Sequence, residues 1–153
     1  MIWPCPLNFH VHVFVINTGK EERLKVAVTQ LVPLIQDKKA IIYLDFAKDI
    51  DGLAIALRQV GVESCSYKGQ NMSGHDKTKV MENWCNGDIR VMVCTSAFGM
   101  GVNQPDIDIV VHIGVPPTIE CMVQEFGRAG RDGRQAEGIH LYTVTMVSIF
   151  RCI

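Results

Sequence analysis

The sequence predicts an α/β domain with a mostly parallel central sheet. Three observations carry that expectation. Short β-branched runs alternate with longer stretches of helical periodicity along the chain. The run AIIYL at 40–44 is continuously apolar, as a strand covered on both faces must be. Turn and capping residues (Gly61, Asn86-Gly87-Asp88, Thr118) punctuate the pattern where helices would stop or start.

Taken in order, residues 10–16 alternate and read as a strand, and Asn17-Thr18-Gly19 as a turn. Residues 20–36 carry Leu24, Val28, Leu31 and Ile35 at helical spacing, with Pro33 set to end or kink that helix. After strand 40–44, residues 49–59 form a helix burying Ile50, Leu53, Ala54 and Leu57, with Gly61 as its C-terminal stop. Strand 62–67, helix 76–85 and strand 89–95 follow, then strand 107–113. Thr118 caps a helix over 119–129, with Glu120 in the turn where the dipole favours an acid. A last strand occupies 139–144. In such sheets ligand-binding loops lie beyond the carboxyl ends of strands, which directs attention to the loops after Leu44, Tyr67, Thr95 and Ile113.

Composition narrows the function classes. With 48% apolar and 20% charged residues, the 153-residue chain is neither disordered nor short of a core. Its net charge of -1 shows no global basicity, so any nucleic-acid contact must come from a local patch or another domain. The six cysteines are scattered without a C-x-x-C pair, which argues against zinc and for a reduced intracellular protein. The apolar N-terminus lacks a leading Lys or Arg and contains two prolines, unlike a signal peptide, and no run reaches membrane-spanning length. His10 and His12 read as exposed strand residues, Trp84 as core, and the methionines as gap fillers.

Two segments carry chemistry. Residues 95–106, TSAFGMGVNQPD, follow a strand directly; Gly99 and Gly101 permit tight backbone geometry with amides open to a ligand, and Thr95 offers a hydroxyl. The spacing alone is equally that of an ordinary glycine-containing turn. The second segment, QEFGRAGRDG at 124–133, holds Arg128 and Arg131 three apart, separated by small residues only. On a helix, that spacing presents two guanidinium groups on one face, and paired guanidiniums suit phosphate oxygens. The plainer alternative is a solvated charged turn with Asp132 as counterion.

Together these segments resemble the RecQ family of superfamily 2 helicases. AFGMGVNQPDIDIVVH is similar to that family's motif V region and QEFGRAGRDG to its motif VI; the resemblance covers residues 40–143, with an echo in Pro6-Leu7-Asn8. It implies a three-layer RecA-like domain over residues 18–146, preceded by a lead-in at 1–17 and followed by a tail at 147–153. It also implies a second motor lobe that faces the first across an ATP cleft. Arg131 is then the arginine finger, with Arg128 beside it on the phosphates of Mg-ATP, which the first lobe holds. Gln124 and Glu125 would lie at the cleft face, and Gly99, Gly101 and Asp106 in the loop coupling nucleotide to DNA. Thr95, Ser96 and Lys68 would meet DNA. His112 matches a family position at its strand end, where packing is the expected role. The implied activity is a 3′-to-5′ ATP-dependent DNA helicase of recombination and repair, nuclear, or cytoplasmic in a prokaryote, with DNA and the first lobe as partners.

Departures from the family's pattern fall on one side. Phe46 and Ala47 occupy places where the family has Ser-Arg, Lys68 falls where it has His, and one residue is inserted before Met72. Gln104 and Pro117 replace lysines. Lost positive charge weakens grip on phosphates, for which Lys68 is a partial substitute. No G-x-x-x-x-G-K-S/T segment and no Asp-Glu-x-His box occur in the sequence. The expectation is therefore that this chain alone has no DNA-stimulated ATPase. A non-catalytic nucleic-acid- or partner-binding product, or a fragment without an independent role, remain the alternatives.

Overall fold

The structure, a computed structural model, describes residues 9–19, 22–95, 98 and 106–143. Six strands form one sheet in the order β1-β6-β5-β2-β4-β3, and every pairing is parallel. The strands are β1 (Phe9–Ile16), β2 (Ala40–Leu44), β3 (Ser64–Tyr67), β4 (Val91–Thr95), β5 (Ile109–Ile113) and β6 (Ala136–Thr143). The helices are α1 (Arg23–Ile35), α2 (Ile50–Gln59), α3 (Gly74–Cys85) and α4 (Ile119–Phe126).

Parallel strands need a crossover on a sheet face, and the helices supply it on both faces. Alternate residues of the central strands therefore enter two different cores. Ala40, Ile42 and Leu44 pack with Val28, Leu31, Leu53 and Leu57 of α1 and α2. Ile41 and Tyr43 pack with Trp84 of α3 and Phe126 of α4. This is the three-layer architecture, and it explains why β2 is apolar throughout: all five of its residues are buried.

Most expected elements form, with shifted ends. α1 begins at Arg23, and Pro33 sits inside it two residues before its end. α2 ends as expected, with Gly61 at φ +86° and Val62 N–H donating to the Leu57 carbonyl. α3 starts earlier than residue 76, because the Ser73 hydroxyl accepts from Asp76 N–H at 3.0 Å and also donates to its carboxylate. Asn71 takes a left-handed φ of 59° just before it. Thr118 caps α4 by accepting from Cys121 N–H at 3.1 Å. The helix stops at Phe126, however, not at 129. Gly127 follows as its C-cap, and residues 127–132 are turns.

Candidate functional site

The expected site residues divide between two ends of the sheet. The chain leaves β4 at Thr95, at the carboxyl ends, and re-enters β5 from the amino ends, because β4 and β5 both run parallel to the intervening β2. Two described residues after β4, Phe98 and Asp106, are anchored. Phe98 is buried against Tyr67 and Trp84, at ring-centroid distances of 4.6 and 6.2 Å. Asp106 pairs with buried Lys39 at 3.1 Å, while the Lys39 ammonium also donates to the Cys85 carbonyl and lies 4.9 Å from the Trp84 ring. Trp84 thus meets Phe98 directly and Asp106 through Lys39. Ser96, Gly99, Gly101 and Gln104 lie outside the described residues.

At the carboxyl ends, Thr95 and Lys68 line one groove of about 540 Å³ together with Lys48 and Asp51. Lys68 donates to the Asp51 carboxylate at 2.7 Å, and that bond, ahead of the opposing cost of burial, holds the Asp51 carboxyl below its usual range. Lys48 stands exposed with its ammonium 5.5 Å from the Phe46 ring. Sequence reasoning missed Lys48, because it weighed the substitutions at Phe46 and Ala47 and not the residue after them. Close by, buried Arg23 bonds Asp45 at 2.9 Å and Asp49 at 3.1 Å, tying the start of α1 to the loop after β2. Gly114, at φ +105°, leaves the Asp45 carboxylate room that any Cβ there would fill. No sequence signal singled out Arg23, since charge pairing between distant segments leaves no local pattern.

The arginine segment is built differently. α4 starts beyond the carboxyl end of β5 and runs back, so residues 127–133 arrive at the amino side, where Gly130 N–H donates to the Ile107 carbonyl at 3.0 Å. Gly130 and Gly133 hold φ of 70° and 84°, so the motif needs these glycines for backbone conformation. Ala129 is buried in the core beneath. Arg131 is exposed, its Nε donating to the Gly127 carbonyl at 3.3 Å. Arg128 is half-buried, within electrostatic reach of the Tyr43 hydroxyl. Gln124 is exposed.

Glu125, expected on the cleft face, is turned inward. It is 3% exposed and its Oε2 lies 2.6 Å from Nδ1 of buried His112. Successive α4 positions are turned about 100° from one another, so exposed Gln124 and buried Glu125 do not share a site. Burial pushes the Tyr43 hydroxyl well above its ordinary range and the Cys94 thiol likewise, so neither ionises near neutrality. No group of three metal-ligating side chains stands among the described residues, and none of their helices is long and apolar enough to cross a membrane.

A three-layer, all-parallel domain with a glycine-arginine turn in its last crossover, between α4 and β6, defines a class, the RecA-like fold. Residues 22–133 match the helicase conserved C-terminal domain, and the chain belongs to that family. It is similar to ATP-dependent DNA helicase Q1 of Mus musculus, 39% identical over 105 residues that make up 69% of this chain and 16% of the relative. It is also similar to ATP-dependent DNA helicase Q1 of Pongo abelii, 36% identical over 88% of this chain and 21% of the relative. ATP-dependent DNA helicase Q-like 5 of Arabidopsis thaliana is 33% identical over 83% and 14%. The chain thus spans roughly a sixth to a fifth of the first relatives. Among solved structures, a DEAD box protein from Methanococcus jannaschii superposes with TM-score 0.78 at 21% identity, over 95% of this chain and 39% of that one. Helicase domain 2 of Mss116p, solved bound to an RNA duplex, also gives 0.78, at 20% identity over 95% and 58%. These two share the fold.

Proposed function

We propose that this chain is the second motor lobe of a RecQ-type, ATP-dependent 3′-to-5′ DNA helicase, and that it supplies arginines to a nucleotide held by the first lobe. The observation carrying this reading is the turn at 127–133. An exposed guanidinium, Arg131, stands on backbone bonded to Ile107 just ahead of β5, three residues from half-buried Arg128. An exposed guanidinium on a fixed backbone suits developing charge on a phosphoryl group, an effect on the order of 10³-fold in rate. ATP and Mg²⁺ supply the phosphoryl chemistry when bound, and in this reading the first lobe cradles them. The connection 95–106 relays between lobes, and DNA phosphates run along the groove of Lys48, Lys68 and Thr95. Recombination and repair, in a nucleus or a prokaryotic cytoplasm, are the settings this reading proposes.

The test joins the chain to a competent RecQ-type first lobe and measures ATP hydrolysis with and without single-stranded DNA. The expected result is DNA-stimulated turnover that Arg131→Ala reduces by about 10³-fold, with no measurable turnover by the 153-residue chain alone. Turnover indifferent to Arg131 overturns the reading. A second reading, a non-catalytic nucleic-acid or partner binder, draws on the groove where exposed Lys48 stands with Lys68 and Thr95. Salt-dependent binding of single strands by the isolated chain, with no response of the joined protein to DNA, selects it.

A further inference from the structure

Four neighbouring strands place a polar or ionisable residue at one level of the sheet, on the face that α4 covers. Register aligns Cys94 with Tyr43, Tyr43 with His112, and His112 with His140. His112 lies 6.4 Å from the Tyr43 ring and 5.7 Å from that of His140. Such a row inside an apolar layer carries a desolvation cost at each member. α4 sets Glu125 upon it, 2.6 Å from His112, with the two side chains 4% and 1% exposed. The far atoms of this pair are left over: among the described residues, His112 Nε2 and Glu125 Oε1 are buried without a hydrogen-bond partner. Buried polar atoms are nearly always paired, so two orphans in one place need an explanation other than stability.

Arg128 supplies one. Its N–H donates to the Glu125 carbonyl at 3.2 Å, so the arginine turn leaves α4 directly from this pair. Its half-buried guanidinium lies within electrostatic reach of Tyr43 and Cys94, the same two members of the row that the Glu125 carboxylate reaches. We propose that His112 and Glu125 are positioning residues for Arg128, His112 fixing the Glu125 carboxylate from β5 so that the guanidinium is held in one orientation over the row. This inference rests on the reading of Arg128 as a phosphate-facing group. The pair touches no nucleotide itself; it narrows the orientations Arg128 samples, which raises rate by pre-organisation.

The experiment is a double-mutant cycle in the chain joined to a competent first lobe. Glu125→Gln keeps the shape and removes the charge; His112→Gln approaches the same contact from the strand and serves if the first variant does not fold. Either single change is expected to lower kcat for ATP by about tenfold with KM within about twofold, since only an orientation realised in the transition state is lost. In an Arg128→Ala background the same change is expected to do nothing more. Multiplicative losses in the Arg128→Ala background, or unchanged kcat in both single variants, overturn the proposal. If Arg128→Ala and Arg131→Ala themselves leave turnover untouched, the underlying functional reading fails instead.

Discussion

The groove at the carboxyl ends and the arginine turn at the amino end hold their cations in opposite ways. In the groove, Lys68 is tethered by a part-exposed carboxylate, its side chain 31% and that of Asp51 54% exposed, and Lys48 is exposed. In the turn, the backbone is bonded to Ile107 just ahead of β5, two glycines sit at positive φ, and Glu125 is locked to His112 below. Exposed pairs contribute little and are replaced cheaply, whereas a buried pair with one member removed leaves an uncompensated polar group. Of the departures from the RecQ pattern read in the sequence, Ala47 and Lys68 line the groove.

The contrast can be broken or sharpened by measurement. The largest expected effect is Arg131→Ala in the joined two-lobe protein, a loss on the order of 10³-fold in ATP turnover with an unchanged melting temperature, because the side chain is exposed. Next is Glu125→Ala, expected to cost about 3 kcal/mol in urea unfolding by stranding buried His112. Lys68→Ala under the same conditions should change stability by less than about 1 kcal/mol. Equal costs for the two would erase the distinction between the regions.

A smaller effect is a pH dependence. Burial, ahead of the opposing bond to the Gly114 carbonyl, lowers the His140 pKa below its ordinary 6.5. The unfolded chain then binds a proton the folded chain resists, so stability is complete above about 6.5 and is lost as pH falls toward the folded-state value. Unfolding free energies measured across this range should decline with acid, and His140→Asn should flatten the curve. The smallest effect belongs to the groove: Lys48→Ala and Lys68→Ala should each reduce the salt slope of single-strand binding by about 0.7. Slopes that do not move would place the nucleic-acid path elsewhere.

Much of this architecture is legible in the chain, and the illegible part has physical causes. Continuous apolar runs and cap residues give the sheet and its helices, because burial on both faces and unsatisfied helix ends leave local signatures. GRAGRDG is legible as a unit for its composition, but its end of α4 is not: nothing in the residues 127–129 forbids helix, and the break follows from Gly130 bonding to Ile107 across the fold. The inward turn of Glu125 is equally invisible, since its partner His112 is thirteen positions away on another element. Lys39, Arg23 and their carboxylates escape for the same reason.

The central claim is that this lobe brings an arginine to a nucleotide carried by its neighbour. Its most direct test is the affinity of the isolated chain for a separate RecQ-type first lobe loaded with Mg-ADP and aluminium fluoride, which mimics the transferring phosphoryl group. The account predicts association that tightens at least tenfold over Mg-ADP alone and loses that gain with Arg131→Ala. Tightening that survives Arg131→Ala, in a chain still folded, contradicts it.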